Sequence, residues 1–204
     1  RVLDDRAEPN MDKPCGGMLT ERALREFSLD EKILEREIWG VRVAYREGEP
    51  FTIDYNERVG GNVHRTKLGK YLAQRAVSAG AEVRLKERVK KLKVRQDYVE
   101  LSASQTLQTK MLVGADGVNS IIKNLLNPAE DRSSLGFCVQ YLMSMKPELI
   151  DERFGRRNEF YYGGDVSPFG YAWIFPKRDC IAVGVGALLS KVEENLKTYL
   201  EYFV

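Results

Sequence analysis

The sequence predicts a mixed α/β chain in which strand–helix–strand units are interleaved with a block of antiparallel strands. Apolar residues recur with helical spacing between residues 66 and 80, and they alternate with polar residues in segments 38–45 and 51–55. A run of short strand-like segments fills residues 81–113. This mixture is typical of an α/β part combined with a separate β-rich part.

The elements are predicted in a definite order. Arg1 to Arg6 form the end of a strand, and a Pro- and Gly-rich loop follows. Thr20 is the predicted N-cap of a short helix with Leu24 and Phe27 on its apolar face. The elements predicted beyond residue 80 are strands at 81–85, 89–94, 98–103 and 106–113, a helix at 119–126, mostly strands from 135 to 189, and a terminal helix after residue 191.

Composition excludes several classes of protein. The 204 residues include 32 basic and 30 acidic side chains, a balance that does not favour nucleic acid as a partner. The three cysteines form no C-x-x-C pair, so neither a disulfide framework nor a metal site is expected, and a cytoplasmic setting follows. The longest apolar run, residues 180–189, is too short to span a bilayer. The absence of a starting Met and of a helix stop signal at the end predicts a piece of a longer chain.

The opening strand ends in Asp4-Asp5-Arg6, as in the second strand of a dinucleotide-binding unit. In such units an acidic residue at the strand end accepts hydrogen bonds from ribose hydroxyls. Asp5 is the better candidate because a basic residue follows it directly, and Asp4 remains open. The alternative is an ordinary acidic turn after a strand.

A second motif, Gly114-Ala115-Asp116-Gly117, follows a predicted buried strand and precedes a helix. The glycines allow the backbone to approach a ligand closely, and the helix N-terminus favours an anion such as pyrophosphate. The carboxylate of Asp116 either binds ribose hydroxyls or holds the turn as a local cap.

A third motif is aromatic. Alternation places Tyr171, Trp173 and Phe175 on one face of a strand, where they form a flat apolar wall suited to a flavin ring or a polyprenyl chain. The alternative is an aromatic strip in the core of a sheet. Seven residues separate Pro176 from Gly184-Val185-Gly186.

These motifs resemble those of the geranylgeranyl reductase family, and the resemblance covers essentially the whole chain. The segment 114–120 is similar to the second flavin motif of FAD-dependent enzymes of the glutathione-reductase type. Val63-His64-Arg65 is similar to their flavin-contacting arginine segment. The family itself is indicated by the Cys-Gly-Gly loop at residues 13–17 and by the Y-x-W-x-F-P…G-x-G pattern at residues 171–186.

The resemblance implies a partial FAD-binding Rossmann-like domain, residues 1–36 and 64–130, interleaved with an antiparallel substrate domain, residues 37–63 and 131–204. It implies an FAD-dependent reductase that saturates C=C bonds of geranylgeranyl chains on lipids or related prenyl substrates, with NAD(P)H or ferredoxin as the reductant. The cofactor-binding residues it implies are Asp5, Arg6, Cys15, Gly16, Arg65, Asp116 and Gly117. The residues it places at the reaction cavity are Cys15, Tyr171, Trp173 and Phe175.

Two other functions share part of this pattern. A flavin monooxygenase or halogenase has the same Gly-Ala-Asp-Gly motif, and a non-catalytic flavin- or lipid-binding piece would lack the first and third flavin motifs, as this chain does. For the second reason the isolated piece is expected to be inactive. The basic stretch from Arg84 to Arg95 is predicted to be a solvated strand face, with contact to anionic lipid headgroups as the alternative.

Overall fold

The computed structural model describes residues 1–11, 13–45, 48–126 and 132–204. The strands are β1 (Val2–Leu3), β2 (Met18–Thr20), β3 (Arg36–Ile38), β4 (Gly40–Tyr45), β5 (Phe51–Asp54), β6 (Gly60–Asn62), β7 (Val83–Arg84), β8 (Lys91–Val94), β9 (Val99–Ser102), β10 (Thr106–Thr109), β11 (Gly136–Ser144), β12 (Arg157–Tyr162), β13 (Tyr171–Pro176) and β14 (Cys180–Leu188). The helices are α1 (Glu21–Glu26), α2 (Arg65–Ser78), α3 (Ile121–Leu126), α4 (Pro147–Phe154) and α5 (Leu196–Phe203).

The chain forms two compact units. The first comprises Arg1–Met11 and Gly69–Asp131, and the second comprises Asp12–Leu68 and Arg132–Val204. Residues 12–36 and 64–68 therefore belong to the strand-rich second unit, whereas the sequence grouped them with the α/β part. Their backbone explains this, because β2 and β3 both pair with β6 in one small antiparallel sheet.

The first unit contains two small sheets. β1 pairs in parallel with β7, and β8, β9 and β10 form an antiparallel meander. The predicted strand at 106–113 is too long, since β10 ends at Thr109. Met111 and Val113 are 85% and 86% exposed. No strand among the described residues pairs with this segment, so its backbone N–H and C=O groups have no neighbouring strand to bond.

The second unit is built on a six-stranded sheet in the order β11-β14-β13-β12-β4-β5. The sequence predicted an antiparallel sheet, but β12 pairs with β4 in parallel, so the sheet is mixed. The sequence also missed α4 within the strand-like region 135–189. Only Ile150 and Phe154, spaced four residues apart, are buried on this short helix, which leaves little periodicity to detect.

Helices α4 and α5 cover one face of this sheet. Every second side chain of β14 faces these helices and belongs to the main core, because successive side chains of a strand face opposite sides of the sheet. The buried members of this core are Ile150, Phe154, Ala172, Ile181, Val183, Val185, Ala187, Leu196 and Leu200. The opposite face carries Trp173, Phe175 and Ala182.

The predicted short helix is confirmed as α1. The Oγ1 of Thr20 accepts a hydrogen bond from the backbone N–H of Ala23 at 3.2 Å, and Leu24 is buried. The prediction for Phe27 was wrong: it lies at the C-cap and is 62% exposed. A six-residue helix turns less than twice, so its apolar stripe ends before this position.

Candidate active site

The aromatic motif and its distant glycines are joined by one β-hairpin. Strands β13 and β14 pair antiparallel, and the backbone N–H of Lys177 donates to the carbonyl of Cys180 at 2.8 Å across a two-residue connection. This register places Trp173 directly opposite Gly184. The spacing found in the sequence is therefore the register of a tight hairpin.

Gly184 leaves room for the indole of Trp173. A Cβ atom at Gly184 would overlap the indole ring at Cζ2 and Cε2. The ring lies across β14 and its Nε1–H donates to Oε1 of Gln140 on β11 at 3.3 Å. A large side chain opposite a glycine thus fixes both the depth and the direction of the indole.

The three aromatic residues of β13 are not equally accessible. Trp173 and Phe175 are 5% and 8% exposed, whereas Tyr171 is 41% exposed. Phe160 on β12 packs edge-on against Phe175, with ring centroids 5.3 Å apart. Of these three residues, Trp173 and Phe175 are therefore packed inside the protein, and only Tyr171 has an open surface.

Further aromatic residues extend the wall at its exposed end. The ring of Tyr162 lies 5.8 Å from Tyr171, and Tyr45 stacks on Tyr162 at 5.5 Å. We call the residues Tyr45, Phe160, Tyr162, Tyr171, Trp173 and Phe175 the aromatic wall. The sequence analysis missed its members on β4 and β12. Alternation of Phe160 and Tyr162 was the available signal, but the parallel pairing that brings Tyr45 to them was not predictable locally.

The Cys-Gly-Gly loop lies against the buried end of this wall. A Cβ atom at Gly16 would overlap the ring of Phe175, and Gly17 has φ +90. Cys15 itself is half-buried. Partial burial raises the pKa of the Tyr171 hydroxyl, and the nearby thiols of Cys138 and Cys15 add to this effect. The loop thus brings Cys15 into the electrostatic surroundings of Tyr171.

A buried lysine holds this loop. Lys177 is 1% exposed, and its Nζ donates to the carbonyls of Gly16 at 2.6 Å and Val63 at 3.1 Å. Burial lowers the pKa of Lys177 to about 8. The sequence analysis missed this residue, since a lysine at the end of a strand normally marks a solvated turn.

The sheets of the second unit are tied together by a buried amide pair. Asn62 donates to Oδ1 of Asn158 at 2.7 Å and to the carbonyl of Pro176 at 2.8 Å, and both asparagines are fully buried. The small sheet that ends in Asn62 is thereby held beside the aromatic face of the large sheet.

His64 lies near Cys180, whose Sγ is 4.0 Å from Nε2, and Asp179 completes a cluster with ligand atoms within 4.8 Å of one another. Burial lowers the pKa of His64, and the positive charge of Lys177 lowers it further. Lys67 also acts on this histidine. The carboxylates of Glu35 and Asp179 oppose the two lysines at this histidine, and we assign no metal to the cluster.

Arg65, the first residue of α2, has an unsatisfied buried atom. Among the described residues its Nε is the one buried side-chain nitrogen or oxygen without a hydrogen-bond partner. A buried guanidinium N–H is normally paired, so this atom is suited to a bound acceptor. The implied cofactor contact at Arg65 fits this observation.

The remaining predicted cofactor residues lie in the first unit. Asp5 and Arg6 follow β1 and are exposed, and the carboxylate of Asp4 accepts the backbone N–H of Arg6 at 3.0 Å. Asp4 therefore serves the turn, which leaves Asp5 as the stronger ribose candidate. Gly117 has φ +80, and a Cβ there would meet nothing within 4 Å, so this backbone is open to a ligand.

Asp116 caps α3. Its Oδ2 accepts the backbone N–H of Ile121 at 2.9 Å. Burial acts to raise the pKa of this carboxyl, but hydrogen bonds from Ser120 and from the backbone outweigh it, and the net pKa is lowered. The local-cap role is thus present, and a cofactor role for the same carboxylate stays a proposal.

Replacing Asp116 with alanine is expected to lower the free energy of unfolding by about 1 kcal/mol, because the cap hydrogen bond to α3 is lost. Asp116→Asn retains an acceptor oxygen and should lose less. Urea denaturation of the two variants and of Asn119→Ala, a control in the same loop, measures the difference. Equal stability of Asp116→Ala and the control would contradict a capping role.

Three comparisons with known proteins bear on this site. Residues 135–204 match the family model for the geranylgeranyl reductase catalytic domain. The chain is 33% identical over 191 residues to a digeranylgeranylglycerophospholipid reductase of Methanocaldococcus jannaschii, covering 89% of this chain and 47% of that protein. The chain spans about half the length of the curated relatives it matches.

The solved structures confirm the fold class. A geranylgeranyl bacteriochlorophyll reductase-like protein of Thermoplasma acidophilum aligns with a TM-score of 0.85 at 24% identity, over 99% of this chain and 54% of its own. The halogenase PltM, solved with phloroglucinol and FAD, aligns with a TM-score of 0.72 at 13% identity, over 99% of this chain and 50% of its own. The matched catalytic-domain model and the sequence relative agree in the family that they indicate for this chain, the geranylgeranyl reductases.

Proposed function

We propose that the protein is an FAD-dependent oxidoreductase that saturates C=C bonds in the geranylgeranyl chains of lipids or related prenyl substrates. The observation that carries this proposal is the aromatic wall, whose members on β12 and β13 lie within the segment matched by the catalytic-domain model. The wall is built of aromatic rings, and it is exposed at Tyr171 and Tyr45. Such a surface suits a flexible prenyl chain, which offers no polar group to bind.

The cofactor assignment rests on particular atoms of this chain. The unpaired Nε of Arg65 and the open, left-handed backbone at Gly117 both suit a bound ligand. Together with them we assign Asp5, Arg6, Cys15, Gly16 and Asp116 to FAD. The neighbour PltM, whose structure contains FAD, supports this choice of cofactor.

When bound and reduced, the flavin supplies a hydride to one carbon of the double bond, and a proton must reach the other carbon. The residues of this chain bind and orient the substrate and exclude water. The buried Trp173 and Phe175 hold the wall rigid, and Tyr171 and Tyr45 contact the chain. The Cys15 thiol is near enough to the Tyr171 hydroxyl to raise its pKa, and we propose this thiol as the weak acid of the site.

The test uses the full gene product. Its flavin is reduced under anaerobic conditions, a digeranylgeranyl glycerophospholipid is added, and flavin absorbance and product mass are followed. Reoxidation of the flavin with a gain of two hydrogens for each double bond supports the proposal. A flavin that stays reduced until oxygen is admitted favours the monooxygenase or halogenase. Failure of any flavin to co-purify favours a non-catalytic protein.

Partners and location are also proposals. The electron donor is NAD(P)H or ferredoxin, and the rate of anaerobic flavin reduction by each distinguishes them. No helix among the described residues combines the length and apolar character needed to cross a bilayer. We propose a cytoplasmic protein with a peripheral membrane contact, since its substrate chains reside in lipid.

A further inference from the structure

Lys177 occupies an unusual position for a lysine. It directly follows β13 and is 1% exposed, and both hydrogen bonds described for its Nζ go to backbone carbonyls rather than to a carboxylate. Neutral carbonyls compensate a buried ammonium less fully than a carboxylate does, so the charge is kept at an energetic cost. An apolar side chain would fill the same space without that cost.

The two carbonyls lie beside two residues of the proposed site. Gly16 adjoins Cys15 in the loop, and Val63 precedes Arg65 by two residues at the entrance to α2. The same two segments meet directly, because the N–H of Val63 donates to the carbonyl of Gly17 at 2.9 Å. A Cβ atom at Gly17 would overlap the Val63 carbonyl. The ammonium thus binds the point where the backbone of residues 16–17 contacts the backbone of Val63, which we call the junction.

We infer that Lys177 is a positioning residue, which fixes Cys15 and the start of the Arg65 helix relative to each other by binding the carbonyls of Gly16 and Val63. The effect of Lys177 on the reaction rests on the proposed function. Its effect on the position of the Cys15 loop does not depend on that function. The hairpin itself is held from outside by Arg36, whose Nε donates to the carbonyl of Lys177 at 3.0 Å. The ammonium is thereby carried on a rigid support.

The charged and titratable groups facing Lys177 come from each neighbouring segment. They are Cys180 on β14, Cys15 in the loop, Glu35 before β3, and His64 before α2. Burial lowers the pKa of Lys177 to about 8, despite the opposing effects of the two thiols and Glu35. The junction is therefore expected to loosen when the pH rises above this value.

The test measures how readily Cys15 reacts. The full gene product is treated with iodoacetamide at pH 7, and alkylation of Cys15 is followed by peptide mass spectrometry, which separates it from the other two thiols. In Lys177→Met, which keeps an unbranched side chain one atom shorter and has no donor, the rate is expected to rise roughly tenfold or more, because two charge-assisted hydrogen bonds are lost. Flavin affinity should fall in parallel.

Two controls separate positioning from a general loss of stability. Arg178→Met removes the neighbouring exposed cation, and Ile150→Val weakens the core on the opposite face of the sheet. Neither should change the Cys15 rate. The ratio of the Lys177→Met rate to the wild-type rate should fall toward one above pH 8. If Lys177→Met does not fold, Lys177→Gln, which keeps a neutral donor, is expected to give an intermediate rate.

An unchanged Cys15 rate in the folded variant would overturn the inference, as would an equal rise in Ile150→Val. These outcomes differ from failure of the proposed function. A protein that binds flavin and shows the Lys177 effect but leaves prenyl lipids unreduced would retain the positioning role and lose the reductase assignment.

Discussion

Replacing Gly184 with alanine is expected to lower the free energy of unfolding by about 1–3 kcal/mol, the usual penalty for forcing volume into a packed site. The new methyl group would overlap the indole of Trp173, and the indole cannot retreat without breaking its hydrogen bond to Gln140. Displacement of the wall should also lower turnover of geranylgeranyl lipid by up to about 100-fold, since a shift of ~1 Å in a positioning surface has effects of that size.

Gly164→Ala is the matched control for this change, because a Cβ atom there meets nothing within 4 Å and the residue lies in the same unit. Urea denaturation, the tryptophan emission and steady-state turnover would be measured for both variants. If Gly184→Ala matched Gly164→Ala in stability and emission, the interlocking of glycine and indole would be wrong. If stability fell but turnover did not, the wall would be structural and would not contact substrate.

The second prediction concerns the pH dependence of stability. The pKa of Lys177 falls from 10.5 to about 8 on burial, so between these values the unfolded chain holds a proton that the folded chain has released. The free energy of unfolding therefore rises with pH through this window, by about 3 kcal/mol in total. Below pH 8 both states are protonated, and this residue makes no contribution to the slope.

The measurement compares wild type with Lys177→Met by urea denaturation from pH 7 to pH 10, where the difference isolates this lysine from the other titrating groups. The free energy of unfolding of wild type should increase relative to that of the variant as the pH rises above 8. Arg178→Met provides the control, because arginine does not titrate in this range. Parallel curves for wild type and Lys177→Met would show that the ammonium is not desolvated.

Local sequence was sufficient for several elements. The cap at Thr20, the periodicity that produces α2 and the alternation that produces β4 and β13 each depend on neighbours within a few residues. The hairpin is also local, since the spacing between Trp173 and Gly184 follows from pairing across two turn residues. For that reason the family resemblance was visible in motif spacing before any contact was known.

Tertiary structure alone decided which of those residues are accessible and what supports them. Alternation places Tyr171, Trp173 and Phe175 on one face but does not say what covers it. The covering groups include Phe160 on the preceding strand and the Cys15 loop, and the loop lies far from β13 in sequence. The parallel pairing of β4 with β12 joins segments more than one hundred residues apart, and so it left no local signal. Lys177 shows the same limit most clearly: its burial depends on two carbonyls contributed by distant segments, and no property of its neighbours in the chain distinguishes it from a solvated turn lysine.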